Sequence, residues 1–338
     1  MKAALAAIAA ASVICASCAP IAKKGSERTK IERSAIRFDE AAAHAYDAHD
    51  AILRRVAEAD VARYRAKLAE NRITLSVAPG CAETLATNQE EMATHCLSVP
   101  AGVKAPLFMS TPTKNLKALG DALKEYADAL AALAEANGPD EEAVALNRAA
   151  DALAQFADSA GRMDKFPASG AERIVAASKA VRAIGRNRME YRRDLALAKA
   201  IKKSNKAVED AALLMGQTYD WASTSAFARG ERLVVNDAQR RVNDVIRRRG
   251  STKQEIREAE KAVEDAKRSY GNFYDAASKQ RKVFEKVADA HNVLAELADH
   301  EKAHPGEDSA LYAEFNEAIH ELNEAAADVT GALEKKGK

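Results

Sequence analysis

Apolar residues recur along most of this chain at spacings of three and four, the period of a helix face turned toward a partner, rather than at the period of two expected of a strand. In the first run Ile31, Phe38, Ala45, Ile52, Ala59, Ala66 and Ile73 stand seven residues apart. That heptad predicts one long helix over 29–73, about 65 Å at roughly 1.5 Å per residue, with small alanine steps that let a second helix approach closely. A second run, Leu116, Leu119, Leu123, Tyr126, Leu130 and Leu133, follows Thr111-Pro112, an N-cap with a first-turn proline. Asn137-Gly138 stops it, and Pro139 with Asp140, Glu141 and Glu142 opens a third through Leu146, Ala149, Leu153, Phe156, Ala160 and Met163. Residues 113–165 are therefore expected to form a helical hairpin.

The segment 169–302 reads as long helices forming a second hairpin around 250. Ser169 and Glu172 have capping-box spacing and open a stretch through Ile174, Val181, Ile184, Tyr191 and Leu195 toward Arg249. Gly216, Ser223, Thr224, Ser225 and Gly230 cluster around Trp221 and predict a kink or break there. Trp221, with Tyr219 and Phe227, is read as core packing at that kink, with an interaction patch as the alternative. Arg247, Arg248, Arg249 and Gly250 form a helix stop, and Ser251 with Gln254 reads as the next capping box. Beyond it lies the cleanest heptad, with Ile256, Val263, Tyr270, Ala277, Phe284 and His291 on one row and Ala259, Ala266, Phe273, Gln280, Val287 and Leu294 on the other. Such a seam requires another helix against it. Pro305-Gly306 ends it, and Leu311, Phe315, Ala318, Leu322, Ala325 and Val329 predict a final helix within 306–336.

Composition agrees with helix. Only 15 Gly and 8 Pro occur in 338 residues and aromatics are 5%, which removes the turn formers and strand formers that sheets need. The expected fold is all-α, an elongated helical bundle of antiparallel coiled-coil hairpins. No long constant period repeats, which weighs against a solenoid. The pattern breaks over 74–112, where Pro79-Gly80, Pro100, Gly102, Pro106 and Pro112 make one proline-rich loop that also carries Cys81 and Cys96.

The N-terminus adds a location. Lys2 precedes an apolar run from Ala3 to Ser17 that is too short to span a bilayer, the form of a secretory signal peptide over 1–18. Ala16-Ser17-Cys18 resembles the end of the lipobox of bacterial lipoproteins, although Cys15 stands where that pattern has Leu, Val or Ile. The resemblance implies cleavage before Cys18, its acylation with diacylglycerol, and, because Ala19 rather than Asp follows, sorting to the outer membrane with the body facing the periplasm. Ordinary signal cleavage nearby is the alternative. Residues 19–28 are polar and without periodicity, a tether. In an exported protein Cys81 and Cys96 are expected to form a disulfide, with two isolated thiols as the alternative.

Candidate chemistry is sparse. Glu40, His44, Asp47, His49 and Asp50 sit close together on the first helix and are read as solvated surface residues ahead of a metal site. Glu296, His300 and His304 stack at intervals of four and could capture zinc or copper, but histidines near a helix C-terminus also favour the helix dipole. No P-loop, G-x-G-x-x-G, G-x-S-x-G or H-E-x-x-H occurs, so an enzyme is not expected and no cofactor is implied.

Net charge is +1, yet residues 173–206 hold 11 Lys and Arg against 2 acids, a balance of +9, while 255–334 hold 19 acids against 9 bases, a balance of −10. Two functions follow. The first is a non-catalytic, lipid-anchored envelope scaffold or adaptor for envelope proteins, with its opposed charges paired internally to set helix register and with self-association open to it. The second is a binder of a polyanion such as lipopolysaccharide or a wall polymer, through Arg188, Arg192, Lys199, Lys203 and Lys206; nucleic acid is not an expected partner. A metal-binding periplasmic helical protein is the third reading.

Overall fold

The structure, a computed structural model, describes residues 28–70, 76–77, 97–98, 111–162, 168–186, 193–224, 226–303 and 309–334. Eight helices among them, packed as antiparallel neighbours, make an all-α protein: α1 (Lys30–Glu70), α2 (Thr111–Glu135), α3 (Pro139–Gly161), α4 (Ala168–Arg186), α5 (Arg193–Thr224), α6 (Ala226–Arg247), α7 (Lys253–Ala303) and α8 (Ser309–Glu334). The segment expected as one loop, 74–112, contains a short strand pair. Ser76–Val77 (β1) lies antiparallel to Leu97–Ser98 (β2), with Ser76 opposite Ser98 and Val77 opposite Leu97.

The apolar seams become the core. Ile31, Phe38, Ala45 and Ile52 of α1 are buried, as are all six seam residues of α2 and, in α7, Phe273, Ala277, Phe284, Val287 and Leu294. Alanines make up much of the rest of the buried core, and their small side chains let the helices pack closely. Burial fades toward the α6–α7 turn, where Ile256, Ala259, Ala266 and Tyr270 are only half-buried.

Side-chain pairs fix the directions. Arg28 reaches Glu135, Tyr46 bonds Asp121, and the His49 ring meets the Leu116 carbonyl, so α2 runs back along α1. Phe38 lies against His291 and Arg55 bonds Ser269, so α7 is antiparallel to α1 as well. By contrast α8 runs parallel to α1, with Arg37 on Asn316 and His44 on Asn323.

Three expectations change. The stretch from Ser169 to Arg249, expected to be interrupted once around Trp221, is three helices. The boundary between α5, which ends at Thr224, and α6, which begins at Ala226, falls inside the glycine and serine cluster around Trp221, whereas near the end of α4 the sequence offers only Gly185 and Asn187. The reversal between Arg186 and Arg193 lets the seam of α4 (Ile174, Val181, Ile184) and that of α5 (Leu197, Ile201, Val208) both bury in one core, with Arg173 paired to Asp210 across them at 2.7 Å. Ser169 lies within the first turn of α4, which begins at Ala168, and so is not its cap. The capping box of α7 is Thr252 and Glu255, one residue later than Ser251 and Gln254. Ser251 is already engaged, its hydroxyl donating to the Val245 carbonyl (2.6 Å) at the end of α6 while Gly250 turns the chain at φ +90°.

A capping box of Thr29 and Glu32 starts α1. The Thr29 amide donates to Glu32 Oε2 (2.9 Å) and the Glu32 amide to Thr29 Oγ1 (3.3 Å), satisfying two otherwise orphaned donors. The buried Glu32 carboxylate also receives Arg193, which donates in addition to the Ala136 carbonyl, so one guanidinium ties the ends of α1, α2 and α5 together.

Candidate functional site

The polar chemistry of the core is concentrated on two buried histidines. His49 lies on the inner face of α1, four residues after Ala45 and three before Ile52, and is wholly buried rather than a surface residue. Its Nε2 is 3.0 Å from the Leu116 carbonyl, which can only accept, so Nε2 carries the proton and Nδ1 accepts from the Tyr219 hydroxyl at 2.5 Å. Tyr219 and Phe284 enclose the ring, with edge contacts at 5.8 and 5.7 Å between centroids.

Gly120 of α2 makes room for this imidazole. A Cβ there would lie 2.6 Å from His49 Cδ2 and 2.7 Å from Nε2, inside van der Waals contact. The residue is glycine because a histidine ring occupies the place of its side chain.

His291, from the heptad row of α7, forms the second center. Its Nε2 is 2.9 Å from the Tyr126 hydroxyl and its Nδ1 2.8 Å from Asn205 Oδ1, an arrangement in which Nδ1 donates and Nε2 accepts. Tyr126 also bonds Ser204, whose hydroxyl sits 2.8 Å from the Ala200 carbonyl of its own helix. Phe38 meets the His291 ring edge-on at 5.3 Å. The two centers therefore join α1 to α5 and α2 to α7, helices remote in sequence.

Desolvation governs their protonation. Burial lowers the His49 pKa to about 4, partly opposed by its bond to Leu116, and burial lowers that of His291 to about 3. Burial likewise raises both tyrosine hydroxyls, Tyr126 and Tyr219. Near neutrality all four groups are uncharged, and each ring nitrogen of the two histidines has a partner. That is the chemistry of a dry cross-brace. Other buried polar groups in the same core differ: the Ser34 hydroxyl and both polar atoms of the Gln280 side chain lack a hydrogen-bond partner.

At the α1–α2 surface Asp39 meets Asp128. Burial first, then a hydrogen bond to the Asp128 carboxyl and the charges of Asp128 and Glu40, raises Asp39 to about 7, with Lys124 opposing. Two carboxyl groups can share a hydrogen bond only when one holds a proton.

The residues singled out from the sequence are dispersed. Lys199 is half-buried and has a partner, Lys203 is exposed, and Lys206 bonds Glu209 (2.9 Å) within α5. Lys202 reaches Asp299 of α7 at 2.7 Å, a direct link between the basic and acidic segments, while Arg182 turns to Asp151. Glu40, His44 and Asp47 are exposed on α1. Glu296 is exposed and His300 half-buried on α7. Cys18, Cys81, Cys96, Arg188, Arg192 and His304 lie outside the described residues, as do the signal and most of the tether. Among the described residues no three His, Cys, Asp or Glu side chains gather as a metal site, and no helix is long and apolar enough to cross a membrane. No protein-family model, no curated protein and no solved structure matches the chain.

The Tyr–His pairs were partly legible. His291 and Tyr126 both fall on predicted seams. The acidic neighbours of His49, Asp47 and Asp50, suggest a surface face, whereas its spacing to Ala45 and Ile52 marks the inner face.

Proposed function

We propose that this protein is an exported, non-catalytic scaffold of the bacterial envelope, anchored through an acylated Cys18 and presenting its helical surfaces to protein partners. The observation that carries this reading is the use made of the reactive side chains. His49, His291, Tyr126 and Tyr219 are fully buried and spent on one another, bracing four helices. Such a core holds spacing and register. The anchor rests on the lipobox-like Ala16-Ser17-Cys18, and the expected Cys81–Cys96 disulfide gains support from the β1–β2 pairing, which brings the two ends of the intervening segment together.

The basic segment 173–206 supports internal pairing over polyanion capture. Arg173, Arg182, Arg193, Lys202 and Lys206 each hold a carboxylate. Intact mass of membrane-extracted protein tests the anchor, with a diacylglyceryl cysteine at position 18 expected and a mature form beginning elsewhere refuting it. Crosslinking in intact cells followed by mass spectrometry tests the scaffold, with recurrent envelope proteins expected on exposed helix faces. Conversion of a small molecule by the purified protein, lost in a Tyr126→Phe or His291→Gln variant that still folds, would overturn it.

A further inference from the structure

The α6–α7 turn carries a concentration of cations that the rest of the fold does not absorb. Residues 239–257 hold seven Lys and Arg against Asp244 and Glu255, net +5. Elsewhere most described arginines rest on a carboxylate, but here only Arg241 and Arg248 do, through Asp237 (2.8 Å) and Glu255 (2.6 Å). Arg240, Arg247, Arg249, Lys253 and Arg257 are exposed and engage no carboxylate among the described residues. Among them stands Ile246, 57% exposed, one of the few large apolar side chains on the described surface.

The position matters as much as the charge. Because α1 and α7 are antiparallel, with Phe38 beside His291 and Arg55 beside Ser269, the turn at Gly250 lies toward the Glu70 end of α1. Residue 28 is at the other end, a helix length of about 60 Å away at roughly 1.5 Å per residue.

We infer that the α6–α7 turn docks on an anionic lipid surface, its free arginines and Lys253 binding headgroup phosphates while Ile246 enters the interface. Arginine suits phosphate through bidentate hydrogen bonds, and a strip of such cations beside an anionic leaflet gains binding with each charge. Ile246 decides between occupants, because an exposed aliphatic side chain amid cations gains at a bilayer boundary. A nucleic acid or a glycan would instead call for aromatic platforms, and residues 239–257 contain no aromatic side chain. The inference does not require acylation of Cys18, so it stands or falls apart from the proposed anchor.

The test uses the mature chain from position 18 carrying Cys18→Ser, so that neither the apolar signal nor an acyl chain contributes, in co-sedimentation with phosphatidylcholine vesicles with or without about 30% phosphatidylglycerol. Preferential binding to the anionic vesicles is expected, released at about 0.5 M salt. Arg247→Gln with Arg249→Gln should weaken it about tenfold or more, and Lys253→Gln with Arg257→Gln independently by a similar factor, at about fivefold per cation. Ile246→Ser should weaken vesicle binding while leaving its salt dependence unchanged. Helicity by circular dichroism should stay constant, since these side chains are exposed. Equal sedimentation with both vesicle types, or unchanged binding in both double variants, overturns the inference. So does capture of soluble polyphosphate as tight as that of vesicles and indifferent to Ile246→Ser.

Discussion

A single missing methyl group sets how closely α1 and α2 approach. The place a Cβ would take at Gly120 is held by His49, which in turn holds Tyr219 and the Leu116 carbonyl. Gly120→Ala should therefore cost about 2 kcal/mol in urea unfolding, through overpacking against a ring that cannot leave without orphaning two partners. His49→Ala combined with it should cost less than the sum of the two singles, since the smaller side chain removes the clash; strict additivity would count against the steric account. Protonation makes a second residue-scale case, with opposite signs. The pKa of His49 and His291 is lowered, so the unfolded chain binds more protons below 6.5, and stability should fall as pH drops from about 6.5 through 4 and then 3, by on the order of 3 kcal/mol for His49 and about 5 kcal/mol for His291. Asp39 is raised, so the folded chain binds more protons between about 3.8 and 7, and its contribution is lost as pH rises through that window. Asp39→Asn should thus be more stable than the parent at pH 8, with the gain vanishing near pH 4. Denaturant titrations across pH check both, and a gain for Asp39→Asn that persists at pH 4 would show that the carboxyl pair is not its source.

At the scale of an element, the start of α7 shows how a motif moves by one residue. Ser251-x-x-Gln254 and Thr252-x-x-Glu255 both fit a capping box, and only the second is used, because the Ser251 hydroxyl closes α6 instead. Thr252→Ala should then lower stability by about 1 kcal/mol, and Gln254→Ala by only a few tenths. Chemical denaturation of the two variants side by side distinguishes the frames; equal losses would return the cap to Ser251. Helix existence was legible from the heptads because each seam is long and uninterrupted. Where one helix stops was not, as between Arg186 and Arg193, since the burial of two seams against each other depends on long-range pairing that periodicity along one helix does not carry.

For the molecule as a whole, the packing predicts a gradient of stability. Residues near His49, Tyr126, Tyr219 and His291 are enclosed by α1, α2, α5 and α7, whereas side chains of 240–262 are largely exposed. Amides of the α6–α7 turn should exchange with solvent far faster than those beside the Tyr–His pairs, because local opening there exposes little apolar surface. Hydrogen exchange followed by mass spectrometry measures this directly, and uniform protection along α7 would contradict it. The same gradient leaves the basic turn free to meet another surface while the braced end stays rigid.

Periodicity and composition by themselves determined the class of fold, the seams and the hairpin near 250, because a helix face repeats every three or four residues whatever it packs against. They also placed the cysteines and the signal-like N-terminus, which are properties of local sequence. Tertiary structure alone decided which seams meet, and so turned His49 from a member of an acidic surface patch into the partner of Tyr219, 170 residues away. It also divided the basic charge into arginines held by carboxylates and arginines left open at the α6–α7 turn. Both follow from pairing across distance in the chain, where a side chain's surroundings, and with them its burial and protonation, come from helices that its own neighbours do not specify.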